Sequence, residues 1–251
     1  MPTVLLTGCS TGFGLEIARS FLERDWNVVA TMRNPQDNQL PSSERLRVLP
    51  LDVTDQASID AAVAEAGEID VLVNNAGFGW LNAAEGTSMD MTRRLFETNT
   101  FGPIAMTRAV LPQFRERRSG VIVNVTSSTT LKPLPLLSAY TASKAAVNAF
   151  TASLAEEIAQ FGIRAHAVIP GQAPSTAFAQ NARVQIEREG GFPEPYAELV
   201  EQTFRQHAGL SPEEATHPRD VAEAVWRAAT DPACPSHLPA GVDAVAWAEG
   251  R

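Results

Sequence analysis

The sequence predicts an α/β fold in which helices flank a doubly wound parallel sheet, and three observations carry that prediction. Short apolar runs with the length of buried parallel strands recur along the 251 residues. Stretches with the helical spacing of apolar side chains separate these runs. The composition, with 44% apolar and 20% charged residues, is typical of a globular domain.

Six apolar runs are predicted as strands, and polar residues, glycine or proline follow each of them. They cover residues 3–7, 27–32, 47–51, 71–73, 120–125 and 165–169. Helical patterns begin after residue 14 and continue at about 59–63, 96–111, 140–160 and 220–230. Because no repeat or low-complexity segment interrupts the alternation, residues 1–251 are predicted to form a single domain with right-handed crossovers.

The stretch 175–211 departs from this alternation, since Gly190, Gly191 and two prolines break its amphipathic pattern. An apolar insertion near the carboxyl edge of the sheet fits a helical lid over an apolar ligand, placed before the C-terminal helix. A packing extension of the core fits the same pattern equally well. The sequence leaves both interpretations open.

A glycine-rich turn follows the first predicted strand and opens the first predicted helix. Free N–H groups and the helix dipole favour an anion at such a helix N-terminus, and glycines let the backbone approach a pyrophosphate closely. The placement predicts a dinucleotide-binding Rossmann unit, although the spacing is Gly-x-x-x-Gly-x-Gly. The residues expected to surround the cofactor here are Gly8, Ser10, Thr11, Gly12, Phe13 and Gly14.

The end of the second predicted strand bears on the choice of cofactor. NAD-binding units place an acid about 20 residues after the glycines to hold the ribose 2′-hydroxyl. Here the strand ends in Met32, Arg33 and Asn34 instead. The planar guanidinium of Arg33 suits a 2′-phosphate, which favours NADP(H), with NAD(H) as the alternative. A solvated loop arginine is the other interpretation of Arg33.

Tyr140 and Lys144 are four residues apart, so they lie on one face of the predicted helix. A cation ~4 Å from a phenol is worth about 4 kcal/mol at an effective dielectric of ~20, enough to lower the phenol pKa by ~3 units. Burial of the phenol opposes this shift, so the figure is an upper bound. An ordinary exposed pair on an amphipathic helix is the alternative.

Several classes of function are excluded by composition. The net charge of −9 disfavours nucleic acid as a partner, because phosphate binding needs clustered positive charge. The two cysteines form no disulfide framework, and the four histidines lack metal-ligand spacing, so a cytoplasmic protein without a metal is expected. No apolar run approaches ~18 residues, so no membrane span is expected.

With these motifs in view, the chain resembles a compact short-chain dehydrogenase/reductase, closest in pattern to the hydroxysteroid and retinol dehydrogenase-like branch. The glycine loop matches the family's cofactor loop, and Asp52 with Val53 matches its adenine contact. The family's Asn-Asn-Ala-Gly element is Asn74, Asn75, Ala76 and Gly77, and its nicotinamide-side loop begins at Pro170 and Gly171. The threonine of that loop falls on Ser175 or Thr176, and the sequence does not decide between them.

The resemblance also implies catalytic residues. The family's tyrosine and lysine fall on Tyr140 and Lys144, and its serine, 13 residues before the tyrosine, falls on Ser127. Its catalytic asparagine falls on Asn99. The implied roles are general acid/base for Tyr140, orientation of the carbonyl oxygen for Ser127, pKa lowering and ribose binding for Lys144, and water binding for Asn99.

The implied activity is NADP(H)-dependent interconversion of a carbonyl and an alcohol. An apolar or aromatic small molecule is the expected substrate, since the expected pocket walls are mostly apolar and no arginine is obviously placed to bind a carboxylate. An NAD-dependent alcohol dehydrogenase working in the oxidising direction is one alternative, and a non-catalytic NADP(H)-binding sensor is another. The resemblance implies a homo-oligomer, and a dimer is favoured. The segment 237–241 lacks the Val-Asp-Gly-Gly ending of many tetrameric members.

Overall fold

A computed structural model describes residues 1–174, 177–208, 211 and 213–250. These residues form one parallel sheet of seven strands in the order β3-β2-β1-β4-β5-β6-β7. The strands are β1 (Thr3–Thr7), β2 (Asn27–Met32), β3 (Leu46–Pro50), β4 (Val71–Asn74), β5 (Gly120–Val125), β6 (Ile163–Pro170) and β7 (His237–Ala240). The predicted doubly wound parallel sheet is therefore confirmed.

The seventh strand is absent from the sequence-based prediction. β7 has only four residues, one of them Pro239, and three of the four are half-buried. It pairs in parallel with β6 at the edge of the sheet, where Ile169 lies opposite Pro239. An edge strand that contains proline and lacks an apolar run has no periodic signature, which is why the sequence does not predict it.

The helices alternate with the strands as predicted. They are α1 (Gly12–Glu23), α2 (Gln56–Ala66), α3 (Met89–Phe96), α4 (Gly102–Arg117), α5 (Ser138–Ile158), α6 (Ala177–Arg188), α7 (Ala197–Ala208), α8 (Pro218–Thr230) and α9 (Val242–Ala248). The helix expected over 96–111 is divided, because a π-helical turn, Glu97–Phe101, joins α3 to α4. No helix in the described part of the chain is long and apolar enough to cross a membrane.

The sheet is buried on both faces. Val4 and Leu6 of β1 belong to the core that includes Phe21 of α1, whereas Leu5 belongs to the core that includes Val110 of α4. All three β1 side chains are fully buried. A strand buried on both sides is mainly apolar along its length, which explains the nearly continuous apolar runs of the sequence.

His166 is a buried polar residue of β6 whose tautomer follows from its partners. Its Nδ1 lies 3.0 Å from the carbonyl of Pro235, so Nδ1 must donate, and its Nε2 lies 3.2 Å from Arg164 Nη1, so Nε2 must accept. Burial, together with the Arg164 charge, lowers the pKa of His166, while the bond to Pro235 opposes the shift. The neutral imidazole is therefore the form that fits this site.

A lowered histidine pKa predicts that stability decreases as the pH falls through about 6.5, the pKa of a free imidazole. Below that value the unfolded chain binds a proton that the folded chain does not, so the free energy of unfolding falls by up to about 1.4 kcal/mol per pH unit. Urea denaturation at pH 7.5 and 5.5 measures the loss. The loss should be smaller in His166→Asn but not in His237→Asn, and equal losses in both variants would contradict the assignment.

Candidate active site

A cleft of about 1240 Å³ lies at the carboxyl ends of the central strands, where a doubly wound sheet binds ligands. It collects most of the residues that the sequence singled out, from segments far apart in the chain. The predicted site residues that line it are Gly8, Ser10, Thr11, Gly12, Phe13, Arg33, Asp52, Val53, Asn75, Ala76, Gly77, Ser127, Tyr140, Lys144, Pro170 and Gly171. Gly14 and Asn99 lie outside this lining, and Ser175 and Thr176 lie outside the described residues.

The glycine loop is held in place by the segment that follows β4. The Asn75 amide donates to the carbonyl oxygens of Thr7 and Gly8, at 3.0 Å each. The Thr7 hydroxyl in turn accepts from the backbone N–H groups of Asn75 and Ala76, also at 3.0 Å. The Asn75 side chain therefore supports the loop. Its hydrogen bonds do not indicate a direct contact between this side chain and a cofactor.

Two glycines of the loop are required by close approach. Gly8 has φ of 73°, and a Cβ there would lie 2.8 Å from Ala76 Cα. A Cβ on Gly14 would collide with the carbonyl oxygen of Gly8. Gly14 is therefore glycine because α1 passes directly over the loop, and its lack of a Cβ lets the helix N-terminus lie against Gly8.

The N-terminus of α1 suits an anion. Its N-cap residue, Thr11, makes no side-chain capping bond, and its first turn contains no acid. By contrast, Asp55 caps α2 and Ser88 caps α3. The uncapped N–H groups of α1 open beside the cleft, so the residues of this loop fit the pyrophosphate of a dinucleotide.

Arg33 and Asp52 lie at the same end of the cleft. Asp52 accepts from the backbone N–H of Thr54 at 2.9 Å and from its hydroxyl at 2.7 Å, and these bonds lower the Asp52 pKa, with a smaller contribution from the Arg33 charge. Arg33 is exposed, and no ion pair engages it within the described part of the chain. Its guanidinium is therefore available to a phosphate.

Tyr140 and Lys144 lie one turn apart on α5 and are both buried, with 6% of each residue exposed. Tyr140 is hydrogen-bonded to Ser127, and Lys144 Nζ donates to the Val125 carbonyl at 3.1 Å. Burial raises the pKa of Tyr140 to about 12, although the Ser127 bond opposes the shift, and burial lowers the pKa of Lys144 to about 8. At neutral pH Tyr140 is therefore a protonated phenol, and Lys144 is an ammonium that loses its proton more readily than a solvated lysine.

The net pKa of Tyr140 is raised rather than lowered, so burial outweighs any effect of the Lys144 charge, and the pKa-lowering role of Lys144 stays a prediction. Desolvation of the phenolate is the largest influence on Tyr140, and the only opposing one is the Ser127 hydrogen bond. Lys144 directs its ammonium at a backbone carbonyl and is itself desolvated.

Asn99 occupies the π-helical turn between α3 and α4. Its side chain accepts from the Phe78 N–H and donates to the Phe78 carbonyl, both at 3.0 Å, and it also donates to Ser143 Oγ at 3.2 Å. A Cβ on Gly77 would lie 3.0 Å from Asn99 Oδ1 and 3.3 Å from Lys144 Nζ. Asn99 is therefore next to the lysine, but its amide fastens the segment after β4 to α5.

These features agree with comparisons to known proteins. The family model described as short chain dehydrogenase matches residues 2–187. The chain belongs to the short-chain dehydrogenase/reductase family. Retinol dehydrogenase 8 of Bos taurus is 39% identical over 181 residues, which cover 67% of this chain and 58% of that enzyme.

Two further relatives match over nearly the full length. The NADP-dependent 3-hydroxy acid dehydrogenase YdfG of Escherichia coli (strain K12) is 33% identical over 238 residues, covering 92% of this chain and 90% of that enzyme. The crystal structure of a short-chain dehydrogenase from Streptomyces avermitilis superimposes with a TM-score of 0.83 and 33% identity, covering 100% of this chain and 92% of that one.

The other half of this short-chain dehydrogenase's cleft is mainly apolar. Its walls include Phe78, Trp80, Leu81, Leu134, Leu137, Ile186 and Phe204. Two arginines that the sequence does not place at the pocket, the exposed residues Arg94 and Arg188, also line the cleft. Arg94 forms an ion pair with Glu189 at 3.6 Å, which joins α3 to the residue that follows α6. Sequence spacing alone does not show that α3 meets this segment.

The sequence analysis of this short-chain dehydrogenase also missed Asp243, a buried residue in the first turn of α9. Its carboxylate accepts from the Gln172 N–H at 2.7 Å and from the Thr216 hydroxyl at 2.6 Å. The Thr216 N–H in turn donates to the Gln172 carbonyl at 2.8 Å. The loop that follows β6 and lines the cleft is thus fastened to the C-terminal helix, a contact between segments about 70 residues apart that no local pattern reveals.

We predict that Asp243→Ala lowers the free energy of unfolding by about 1–3 kcal/mol, because the Gln172 N–H loses its acceptor, whereas the Thr216 hydroxyl keeps the Ala240 carbonyl at 3.2 Å. Asp243→Asn should lose less, since its remaining carbonyl oxygen can still accept one of the two bonds. Urea denaturation measures the stability, and hydrogen exchange of the Gln172 amide reports on the loop itself. Unchanged Gln172 protection in Asp243→Ala would contradict this account of the loop.

Proposed function

We propose that this protein is an NADP(H)-dependent oxidoreductase that interconverts a carbonyl and an alcohol, with Tyr140 as general acid and base. The observation that carries the proposal is the buried hydrogen bond between Ser127 and Tyr140. It lies in the same cleft as the uncapped N-terminus of α1. One cleft therefore provides both a proton donor and a place for a dinucleotide.

NADPH, when bound, would supply the hydride, and with it the two electrons, for reduction of a carbonyl carbon. Tyr140 gives its proton to the carbonyl oxygen, so the product is an alcohol and the residue is left as a phenolate. The high pKa of Tyr140 keeps the phenol protonated before the reaction. Ser127 donates a hydrogen bond to the oxygen as negative charge develops on it. In alcohol oxidation the same groups act in reverse.

The loop residues from Gly8 to Gly14 would hold the pyrophosphate, and Asp52 and Val53 would border the adenine. Lys144 would bind the nicotinamide ribose. Asn99, which lies next to Lys144, would help to hold it in position. Four further residues line the cleft at positions that fit contacts with the cofactor, namely Ala76, Gly77, Pro170 and Gly171. A nicotinamide contact from Ser175 or Thr176 stays a prediction, since both lie outside the described residues.

The apolar walls of the cleft support an apolar or aromatic substrate, and α6 and α7 would act as its lid. Ala182 and Ile186 of α6 and Thr203 of α7 are buried and line the cleft, which supports the lid interpretation of 175–211. The exposed arginines at the rim, Arg94 and Arg188, would tolerate a polar or anionic end on such a molecule. A substrate with an apolar body is therefore the best match.

Buried Ser127, Tyr140 and Lys144 support catalysis over a non-catalytic sensor, which has no use for a desolvated proton donor. An NAD-dependent alcohol dehydrogenase is the second enzymatic candidate, and the exposed guanidinium of Arg33 favours NADP(H) over it. The relative YdfG, whose name states NADP dependence, supports the same choice.

A homodimer in a reducing cytoplasm completes the proposal. Phe101, at the start of α4, is 51% exposed, and an apolar side chain of that size fits an interface with a second copy. Both cysteines, Cys9 and Cys234, are buried free thiols, as a reducing compartment allows.

Tyr140→Phe should reduce carbonyl turnover by about 10²–10⁴-fold, the usual contribution of general acid catalysis, and should leave NADPH binding intact. The oxidation of NADPH can be followed by absorbance over a panel of ketones, aldehydes and quinones. Tyr196→Phe is the matched control, because the chain has only two tyrosines and Tyr196 lies outside the cleft lining. Turnover retained in Tyr140→Phe would refute the assigned role.

Arg33→Ala should lower kcat/KM for NADPH by about 10-fold and leave kcat/KM for NADH unchanged. The reason is that a charge-assisted contact to the 2′-phosphate is lost, at the low end of its usual range because the site is exposed. Steady-state kinetics with both cofactors provide the measurement. Arg227→Ala, on α8 and outside the cleft lining, controls for the loss of a positive charge. Equal losses with both cofactors would overturn the assignment.

A further inference from the structure

Ser127 Oγ is a meeting point of three polar groups. It receives the Thr129 N–H at 3.3 Å and the Thr129 hydroxyl at 3.2 Å, and it is hydrogen-bonded to Tyr140. Ser127, Thr129 and Tyr140 are all buried, with at most 9% of each exposed. All three residues also line the cleft.

The number of hydrogen-bond donor and acceptor positions on a hydroxyl decides the direction of these bonds. A serine hydroxyl has two lone pairs and one proton. The Thr129 N–H can only donate, so it occupies one lone pair. The Thr129 hydroxyl donates to Ser127 Oγ at 3.2 Å, and so it occupies the second lone pair. The Ser127 proton is then the one hydrogen-bonding position left for Tyr140 or for a substrate oxygen.

We infer that Thr129 is a positioning residue that makes Ser127 an obligate hydrogen-bond donor. The inference rests on the proposed function of the cleft and deepens it. With both lone pairs of Ser127 filled, Tyr140 cannot direct its own proton at Ser127. Ser127 can then share its proton with a substrate carbonyl oxygen. The proton of Tyr140 is directed to that oxygen rather than to Ser127.

Loss of the Thr129 hydroxyl would release this constraint. Ser127 would regain a free lone pair, and the neutral Tyr140 could donate to it in an unproductive arrangement. The same change stabilises the protonated phenol over the phenolate, because Ser127 no longer has to donate to it. The donated bond from Thr129 also polarises the Ser127 hydroxyl, so its removal weakens the Ser127 bond to a phenolate.

The chain provides a matched control in the adjacent residue. The Thr130 hydroxyl donates to the Ser127 carbonyl at 2.7 Å and accepts from Asn148 Nδ2 at 2.9 Å. It therefore holds the same turn without touching Ser127 Oγ. Thr130→Val tests a loosened turn, whereas Thr129→Val removes the bond to the reacting hydroxyl from an otherwise similar side chain.

The experiment measures two properties, the pH profile of kcat/KM for alcohol oxidation and the kcat of carbonyl reduction. Both are compared among the unmodified enzyme, Thr129→Val, Thr129→Ser and Thr130→Val. One hydrogen bond is worth about a 2- to 12-fold change. We therefore expect Thr129→Val to lower kcat of reduction by that factor and to raise the apparent pKa of oxidation by about 0.4–1 units. Thr129→Ser should restore the pKa, and Thr130→Val should not move it.

A second readout does not depend on turnover. In a Tyr196→Phe background, tyrosine labelled with ¹³C at Cζ gives one resonance, from Tyr140, because the chain has two tyrosines. Thr129→Val should shift this resonance at neutral pH, and Thr130→Val should not. An enzyme inactive on every carbonyl would defeat the proposed function, whereas an unshifted Tyr140 resonance in Thr129→Val would defeat the inference about Thr129. An equal pKa change in Thr129→Val and Thr130→Val would also overturn it.

Discussion

Burial of Tyr140 and Lys144 at one edge of the sheet is the constraint on which the rest of this site depends. Desolvation raises the phenol pKa to about 12 and lowers the lysine pKa to about 8, so at neutral pH the phenol is protonated and the lysine is an ammonium that loses its proton more readily than a solvated one. Such burial persists only if α5 is held firmly against the strand ends. The Thr100 hydroxyl donates to the Ser143 carbonyl at 2.9 Å, which fastens the π-helical turn to α5 beside Tyr140.

A second set of buried bonds secures α5 about two turns further along. The Asn74 amide at the end of β4 donates to Asn124 on β5, and Asn124 donates to the Thr151 hydroxyl, both at 2.8 Å. Buried polar groups are costly unless they are paired, so a connected chain of this kind specifies one arrangement of strand ends and helix. The polar residues at these strand ends therefore hold α5 in place, and through α5 they position Tyr140 and Lys144.

The cleft divides its tasks between backbone and side chains. The half near α1 presents N–H groups that no side chain caps, and the other half presents hydroxyls and an ammonium whose pKa values depend on burial. The C-terminal elements complete the edge, because β7 pairs with β6 and Asp243 of α9 fastens the loop that follows β6. Lys132, beyond Ser127, lies 5.0 Å from the Trp247 ring centre, so α9 contacts two loops near the cleft.

Local sequence was sufficient for the parallel α/β sheet and for the grouping of most site residues. Runs such as 3–7 are apolar throughout because both faces of the sheet are covered, and this leaves a signal in the sequence. Carboxyl ends of parallel strands meet at one edge, so Ser127 and Gly77 could be placed with the glycine loop before any coordinates were known. Tyr140 and Lys144 followed from their helical spacing and from the family resemblance.

Tertiary structure alone decided the protonation chemistry and the supporting contacts. The sequence carries the spacing of Tyr140 and Lys144 but not their burial, and burial reverses the expected pKa shift of the phenol. The bond from Thr129 to Ser127 depends on the turn geometry after β5, and that from Asp243 to Gln172 joins segments about 70 residues apart. Desolvation and long-range hydrogen bonds are properties of packing, and no periodicity along the chain encodes them.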